Sequence, residues 1–207
     1  MGWSLGYLKP REPEFLDALF MSAGRALYLA NAFESKCKYL LRIGNLVEAV
    51  GSDPVLGLQD AIAALPADKM LGPTLRALGD HLSWARTWDT DVLDKAREAR
   101  NFIAHEGADV GDICFSDRRQ ILAHASRLRD AVTDLTRGDN IVSLWVFGTE
   151  EPHEPPPTHL IDAYPAMVDD WVFGHFGDLL NDDELPKQRA TPETEQDSAS
   201  SPVADHG

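Results

Sequence analysis

The sequence predicts an all-α protein, an antiparallel bundle of four to five helices with an extra C-terminal segment and helix. Apolar residues recur at three- and four-residue steps over most of the first 136 residues, which is the spacing of one helix face. Clusters of Gly, Pro and Asp interrupt this periodicity where helices end or begin. With 207 residues, 43% of them apolar and 26% charged, the chain has an ordinary globular composition, so we expect one folded unit.

The first helix is predicted over residues 13–42. Pro13 suits a first helical turn, whereas Gly44, and then the cluster from Gly51 to Pro54, are stop signals. Its apolar face consists of Leu16, Leu19, Phe20, Ala23, Ala26, Leu27, Ala30, Phe33, Cys37, Leu40 and Leu41.

The same periodicity predicts further helices along the middle of the chain, at 56–65, 70–86, 91–106 and 117–136. The cluster from Asp89 to Asp91 is a candidate N-cap for the helix at 91–106, and Gly107 would end it. Gly138, Asp139 and Asn140 together are a stop signal for the helix at 117–136.

The C-terminal third is less regular. Residues 141–147 are rich in β-prone side chains and are expected to be extended, whereas 159–180 regains helical spacing, with Pro165 expected to restart or kink the helix. The chain is thus predicted to comprise an N-terminal arm, a helical bundle, an extension packed on the bundle and a disordered acidic tail. The boundaries of these four parts are 1–12, 13–137, 138–181 and 182–207.

Charge and cysteine content restrict the possible functions. The net charge of −15 argues against binding of polyanions by bulk charge, so any nucleic-acid contact requires a local basic patch. Cys37 and Cys114 are too few for a disulfide scaffold and do not have the spacing of zinc ligands. The sequence shows no secretion signal and no apolar run long enough to span a membrane. We therefore expect a cytoplasmic protein without a membrane association.

One stretch of the predicted helix at 91–106 carries side chains that can take part in catalysis or in anion binding. Arg97, Asn101 and His105 fall on one stripe of an ideal helix, away from its apolar face, and Arg100 lies on the flank of that face. Arg100 and His105 diverge by about 140° around the axis, so they do not converge on one small group within a single straight helix. A two-fold dimer packed along this helix would let both chains line one cleft.

The run Arg100-Asn101-x-x-x-His105 resembles the R-x4-6-H motif of the HEPN superfamily, whose name stands for higher eukaryotes and prokaryotes nucleotide-binding domains. In that family small all-α bundles carry the motif late in the chain of core helices, and the long first helix often has an acidic residue, here Glu34. The resemblance covers residues 13–137.

This resemblance implies a metal-independent endoribonuclease that acts as a homodimer, often as a toxin or an antiviral effector. His105 would be the general acid or base, Arg100 would bind the phosphate oxygens, and Asn101 would orient His105 or the phosphate. Glu34 and Arg97 would support them. The expected partners are RNA, a second copy and an antitoxin or regulatory protein, and no cofactor or metal is expected.

Two other classes of function stay open. A non-catalytic HEPN-like module would use the same residues to bind a nucleotide or a partner protein without cleavage. The third class is a purely structural helical dimer. In it, Arg100 and His105 would only stabilise the C-terminal end of the helix, where positive charges interact favourably with the helix dipole.

Overall fold

The computed structural model describes residues 13–53, 55–67, 70–81, 87–108 and 118–184, and every regular element within these ranges is an α-helix. The all-α prediction is therefore confirmed. The helices are α1 (Pro13–Ser52), α2 (Leu58–Ala63), α3 (Leu71–His81), α4 (Thr87–His105), α5 (Arg118–Glu150) and α6 (Thr158–Glu184). The arm at 1–12 and residues 185–207 of the predicted tail lie outside the described residues.

Helix α1 runs through the bundle and contacts α2, α3, α4, α5 and α6, and α4 packs along α5. Its inward face has the predicted helical spacing, although Phe20 and Leu27, which we expected in the core, are exposed. Full burial of a large apolar side chain contributes about 1.5–3 kcal/mol, so the core depends on the side chains that are almost completely shielded. The largest apolar members of that set are Phe33, Leu19, Leu78, Ile121, Leu128, Leu135, Val142 and Val172.

The first helix is longer than predicted, because it continues through Gly44 to Ser52. One glycine inside a helix costs about 1 kcal/mol relative to alanine, which tertiary packing can offset. Here α2 and the segment after it pack against the last turns of α1 and supply such contacts. The residues that line this junction are Asn45, Glu48, Ala49, Ser52, Ala61, Ala64, Leu65 and Pro66.

Helices α3 and α4 also differ from their predicted limits. Helix α3 takes Pro73 into its first turn, where a missing backbone N–H costs no helical hydrogen bond. Helix α4 begins at Thr87, so Asp89–Asp91 lies within its first turns and the predicted N-cap is wrong. Acidic residues are also favourable in a first helical turn, because they face the positive end of the helix dipole.

Helix α5 does not end near residue 136, and the predicted stop at Gly138–Asn140 is wrong. A Cβ atom at Gly138 would lie 2.3 Å from the Cβ atom of Ala96, so this glycine permits close packing of α5 on α4. Residues 141–147 are helical rather than extended, with Val142 and Trp145 buried at helical spacing. The helix therefore crosses the predicted boundary at 137/138 without a break.

The next residue, Asp139, joins three helices. Its buried carboxylate accepts hydrogen bonds from Lys36 of α1, at 2.9 Å to each oxygen, and from the Tyr164 hydroxyl of α6. Lys36 also donates to the Ser143 hydroxyl at 2.9 Å. Burial, together with the nearby Asp139 charge and its hydrogen bond, raises the pKa of Tyr164. This network ties α1, α5 and α6 together.

Helix α6 contains Pro165 within its length, so the expected restart is not found. A proline at this position removes the N–H that would otherwise bond to the Ile161 carbonyl, four residues earlier. That carbonyl instead accepts a hydrogen bond from the side-chain amide of Asn140, at 2.9 Å. Residues 182–184, which we expected in the disordered tail, belong to the last turn of α6.

Candidate functional site

The last turns of α4 place the motif residues where the sequence predicts them. Ala99 and Ile103 are buried against the neighbouring helices, whereas Asn101 and His105 are exposed and Arg100 is half-buried between the two faces. The amphipathic spacing alone fixes this distribution, because residues three and four apart share one helix face. The polar stripe thus points away from the core, as expected.

Arg100 reaches across to α1, where its guanidinium forms an ion pair with the carboxylate of Glu34. Lys38, one turn further along α1, binds the same carboxylate at 2.8 Å. Burial alone would raise the pKa of Glu34, but the hydrogen bond from Lys38 and the positive charges of Arg100 and Lys38 outweigh burial and hold that pKa below its usual value. The result is a cluster of two cations and one anion at the junction of α1 and α4.

The guanidinium of Arg100 retains unused hydrogen-bonding capacity. Its Nη1 donates to the side-chain oxygen of Asn101 at 3.3 Å, but its buried Nε has no hydrogen-bond partner among the described residues. Arginine offers five N–H donors in a planar fork that matches two oxygens of a carboxylate or phosphate. Because Nε is buried, a phosphate oxygen reaches this donor only if the Arg100 side chain moves.

His105 is the last residue of α4 and faces solvent. Within the described part of the chain, no hydrogen bond joins it to Arg100, in keeping with the divergence of about 140° on one helix. Glu34, Arg100 and Asn101 are therefore brought together, and His105 stands apart from them at the helix end.

Helix α5 adds residues to this helix end that sequence reasoning missed. Nε2 of His124 lies 3.0 Å from the Gly107 carbonyl, and the guanidinium of Arg127 lies 5.0 Å from the ring centre of Phe102 and 3.6 Å from the carboxylate of Glu106. His124 and Arg127 are three residues apart, so they share a helix face. That spacing is the only signal in the sequence, and it does not show which helix the face meets.

Arg97 makes local contacts on the same stripe. It forms ion pairs with Asp94 at 3.4 Å and with Glu98 at 3.5 Å, and its side chain lies near Gly72 of α3. The two acidic partners are largely exposed, so these pairs contribute little to stability. Arg97 is directed towards α3 rather than towards the Arg100 cluster.

Two further observations bear on cofactors and location. Among the residues that the structure describes, no three His, Cys, Asp or Glu side chains are grouped so that they could hold a metal ion, and no helix is long and apolar enough to cross a membrane. Cys37 is fully buried on the apolar face of α1, where the sequence predicts it, and burial raises the pKa of its thiol, which makes the thiol unreactive. Cys114 lies outside the described residues.

Comparison with known proteins gives no relative. No family model matches the chain, and neither a curated protein nor a solved structure matches it.

Proposed function

We propose that this protein is a metal-independent endoribonuclease of the HEPN type, a cytoplasmic toxin or defence effector that acts as a homodimer with a regulatory partner protein. The observation that carries the proposal is the cluster of Arg100, Asn101 and Glu34 at the junction of α4 and α1, with His105 exposed on the same helix. The cluster supplies a phosphate-binding cation, and His105, which stands apart from it at the end of α4, supplies the acid–base group. The resemblance of the motif supplies the reaction class.

The chemistry would use the 2′-hydroxyl of the RNA as the nucleophile. His105, as the acid–base group of the site, removes the proton from that hydroxyl or delivers a proton to the departing 5′-oxygen. Arg100 binds the non-bridging phosphate oxygens, whose negative charge grows in the transition state. Glu34 and Lys38 act as positioning residues, since they fix the direction of the Arg100 side chain.

A homodimer resolves the separation of Arg100 and His105. With a two-fold axis near residues 97–106, the exposed stripe of α4 faces its copy, and the arginine of one chain lies near the histidine of the other. Asn101 is exposed in the middle of this stripe. An Asn101→Cys variant should therefore form a disulfide with itself in such a dimer, and a monomer of that variant under mild oxidation would reject this arrangement.

One observation favours the non-catalytic alternative, a helical module that binds a nucleotide or partner protein. Arg100 is already paired with Glu34, so a phosphate would have to compete with a half-buried carboxylate for the guanidinium. In that case the protein would bind RNA or nucleotide without cleaving it.

Cleavage of RNA by the purified protein in EDTA separates these candidates. We expect products with 2′,3′-cyclic phosphate ends, and a loss of at least ~10²-fold in rate for His105→Ala and for Arg100→Ala. His153→Ala and Arg137→Ala are matched controls, because both residues are exposed and outside α4, His153 in the connector before α6 and Arg137 on α5, where it pairs with Asp134. Equal activity of the wild type and of both site variants would reveal a contaminating nuclease. Binding without cleavage would favour the non-catalytic module.

A further inference from the structure

The outer face of α1 carries an apolar surface that no other described part of the chain covers. Four large side chains surround Gly24 at three and four residues on either side, and each is substantially exposed. The exposed fractions are 44% for Phe20, 47% for Met21, 39% for Leu27 and 67% for Tyr28. We call these five residues the Gly24 surface. Exposed apolar residues are common singly, but a contiguous group on one helix face is typical of an interaction site.

The glycine forms a depression at the centre of this surface. A Cβ atom at position 24 would meet no atom of the described residues within 4 Å, so packing among them does not require glycine there. Glycine in an exposed helix interior costs about 1 kcal/mol relative to alanine. The absence of a side chain allows a second helix to approach α1 closely, between the four large residues.

We propose that the Gly24 surface binds the same surface of a second copy of this chain, with the two α1 helices antiparallel about a two-fold axis at Gly24. Under this symmetry, a residue three positions after Gly24 meets the residues three and four positions before it. Leu27 then packs against the partner's Phe20, and Tyr28 packs against the partner's Met21. Every large residue of the surface thus has an apolar counterpart.

The polar edges of the surface select the antiparallel direction. Asp17 and Asn31 are both exposed and lie seven residues on either side of Gly24, which is about 10 Å along the axis. In an antiparallel pair the Asn31 amide meets the partner's Asp17 and can donate a hydrogen bond to its carboxylate. In a parallel pair Asp17 would instead meet the partner's Asp17, with repulsion between like charges.

Helix α6 extends the surface on one side. The rings of Tyr28 and Trp171 meet edge to face at 6.0 Å, and the guanidinium of Arg25 lies 5.5 Å from the Trp171 ring centre. Met167 and Trp171 are themselves 59% and 41% exposed. Together with Met167 and Trp171, the exposed apolar side chains present on the order of 600 Å² of accessible surface per protomer. Each partner in a standard protein–protein interface buries roughly 800 Å².

This contact is independent of the proposed ribonuclease activity. Glu34, which binds Arg100, lies ten residues after Gly24 and about 80° from it around the α1 axis, so it is not part of the Gly24 surface. A chain that used both surfaces would assemble beyond a dimer.

The first test is the molar mass of the full-length chain by light scattering at micromolar concentration. We expect Gly24→Leu, whose side chain fills the depression, to weaken association through α1 at least tenfold. If the α4 contact also forms, an assembly larger than a dimer falls to a dimer, and if it does not form, a dimer falls to a monomer. Leucine is a better helix former than glycine, so the monomer fold should persist in this variant. Gly51→Leu is the matched control, since Gly51 is an open helical position on the same helix. A wild-type monomer, or a molar mass and association strength that are the same in Gly24→Leu as in the wild type, would overturn the proposal.

The second test is disulfide cross-linking, which reports on the direction of the helices. In a Cys114→Ser background, Asp17→Cys mixed with Asn31→Cys should give a covalent dimer, and neither variant alone should do so. A cross-link in Asp17→Cys alone would show a parallel pair and contradict the antiparallel contact. Covalent dimers of Asn101→Cys without any 17–31 product would assign self-association to α4 instead, and would also overturn the proposal.

Discussion

The side-chain amide of Asn140 donates a hydrogen bond to the main-chain carbonyl of Ile161, at 2.9 Å. The carbonyl lies four residues before Pro165, which has no N–H to offer it. Helix α5 therefore provides the hydrogen-bond donor that α6 lacks. This contact explains why α6 passes through a proline without ending.

Loss of the Asn140 amide should destabilise the protein because it leaves the Ile161 carbonyl without a partner. We expect Asn140→Ala to lower the free energy of unfolding by about 1–3 kcal/mol in urea denaturation. In a Pro165→Ala background the helix supplies its own N–H, so the same substitution should cost less. Equal costs in the two backgrounds would contradict the proposed link between Asn140 and Pro165.

The close contact at Gly138 predicts that a single methyl group is not tolerated there. Gly138→Ala places a Cβ atom 2.3 Å from that of Ala96 and should cost about 1–3 kcal/mol, or more, by overpacking. Gly148→Ala, in an open position of the same helix, should be neutral or stabilising. Thermal unfolding of both variants provides the comparison. The double variant Gly138→Ala/Ala96→Gly should regain part of the loss, and failure to do so would reject the contact with Ala96 as the cause.

The ion pair between Lys36 and Asp139 should matter more for stability than a surface pair. Asp139 is almost completely buried, so Lys36→Met leaves its carboxylate without a cation and should cost about 2 kcal/mol, less than a fully buried pair because Lys36 is partly exposed. Asp139→Asn added to Lys36→Met should recover part of this loss. Lys95→Met, at an exposed position of α4, is the control. Urea denaturation that showed equal effects of the two lysine variants would contradict the expectation.

The lowered pKa of Glu34 gives a pH dependence with a definite sign. A carboxyl group whose pKa is lower in the folded than in the unfolded state stabilises the protein above its usual pKa of 4.5, and this contribution is lost as the pH falls through the folded value. Glu34→Gln should therefore be less stable than the wild type at pH 7, with a difference that shrinks below about pH 4. Glu154→Gln, in the exposed connector before α6, should show no such trend. Stability curves over pH 3–7 measure both.

The sequence predicts the class of the fold and most helix cores, because apolar spacing depends only on helix geometry. It does not predict the course of α5 and α6. Gly138, Asp139 and Asn140 are typical stop residues, and their contacts with Ala96, Lys36 and the Ile161 carbonyl come from other helices. Local propensity cannot show those contacts.

The sequence also predicts only part of the candidate site, because helix geometry is local and packing between helices is not. The exposure of Asn101 and His105 follows from helix geometry, and the pairing of Arg100 with Glu34 agrees with the supporting role expected for Glu34. The approach of His124 and Arg127 to the end of α4 depends on the packing of α5, which no local pattern determines.

One turn of α5 meets three different helices through consecutive residues, with Gly138 against α4, Asp139 against α1 and α6, and Asn140 against α6. Helix α6 therefore cannot detach without breaking contacts to the same turn of α5 that packs on α1 and α4. We expect the amide protons in the middle of α5 and α6 to exchange with solvent through the same cooperative opening as those of α1. Residues 138–181 would then unfold together with the bundle as one cooperative unit.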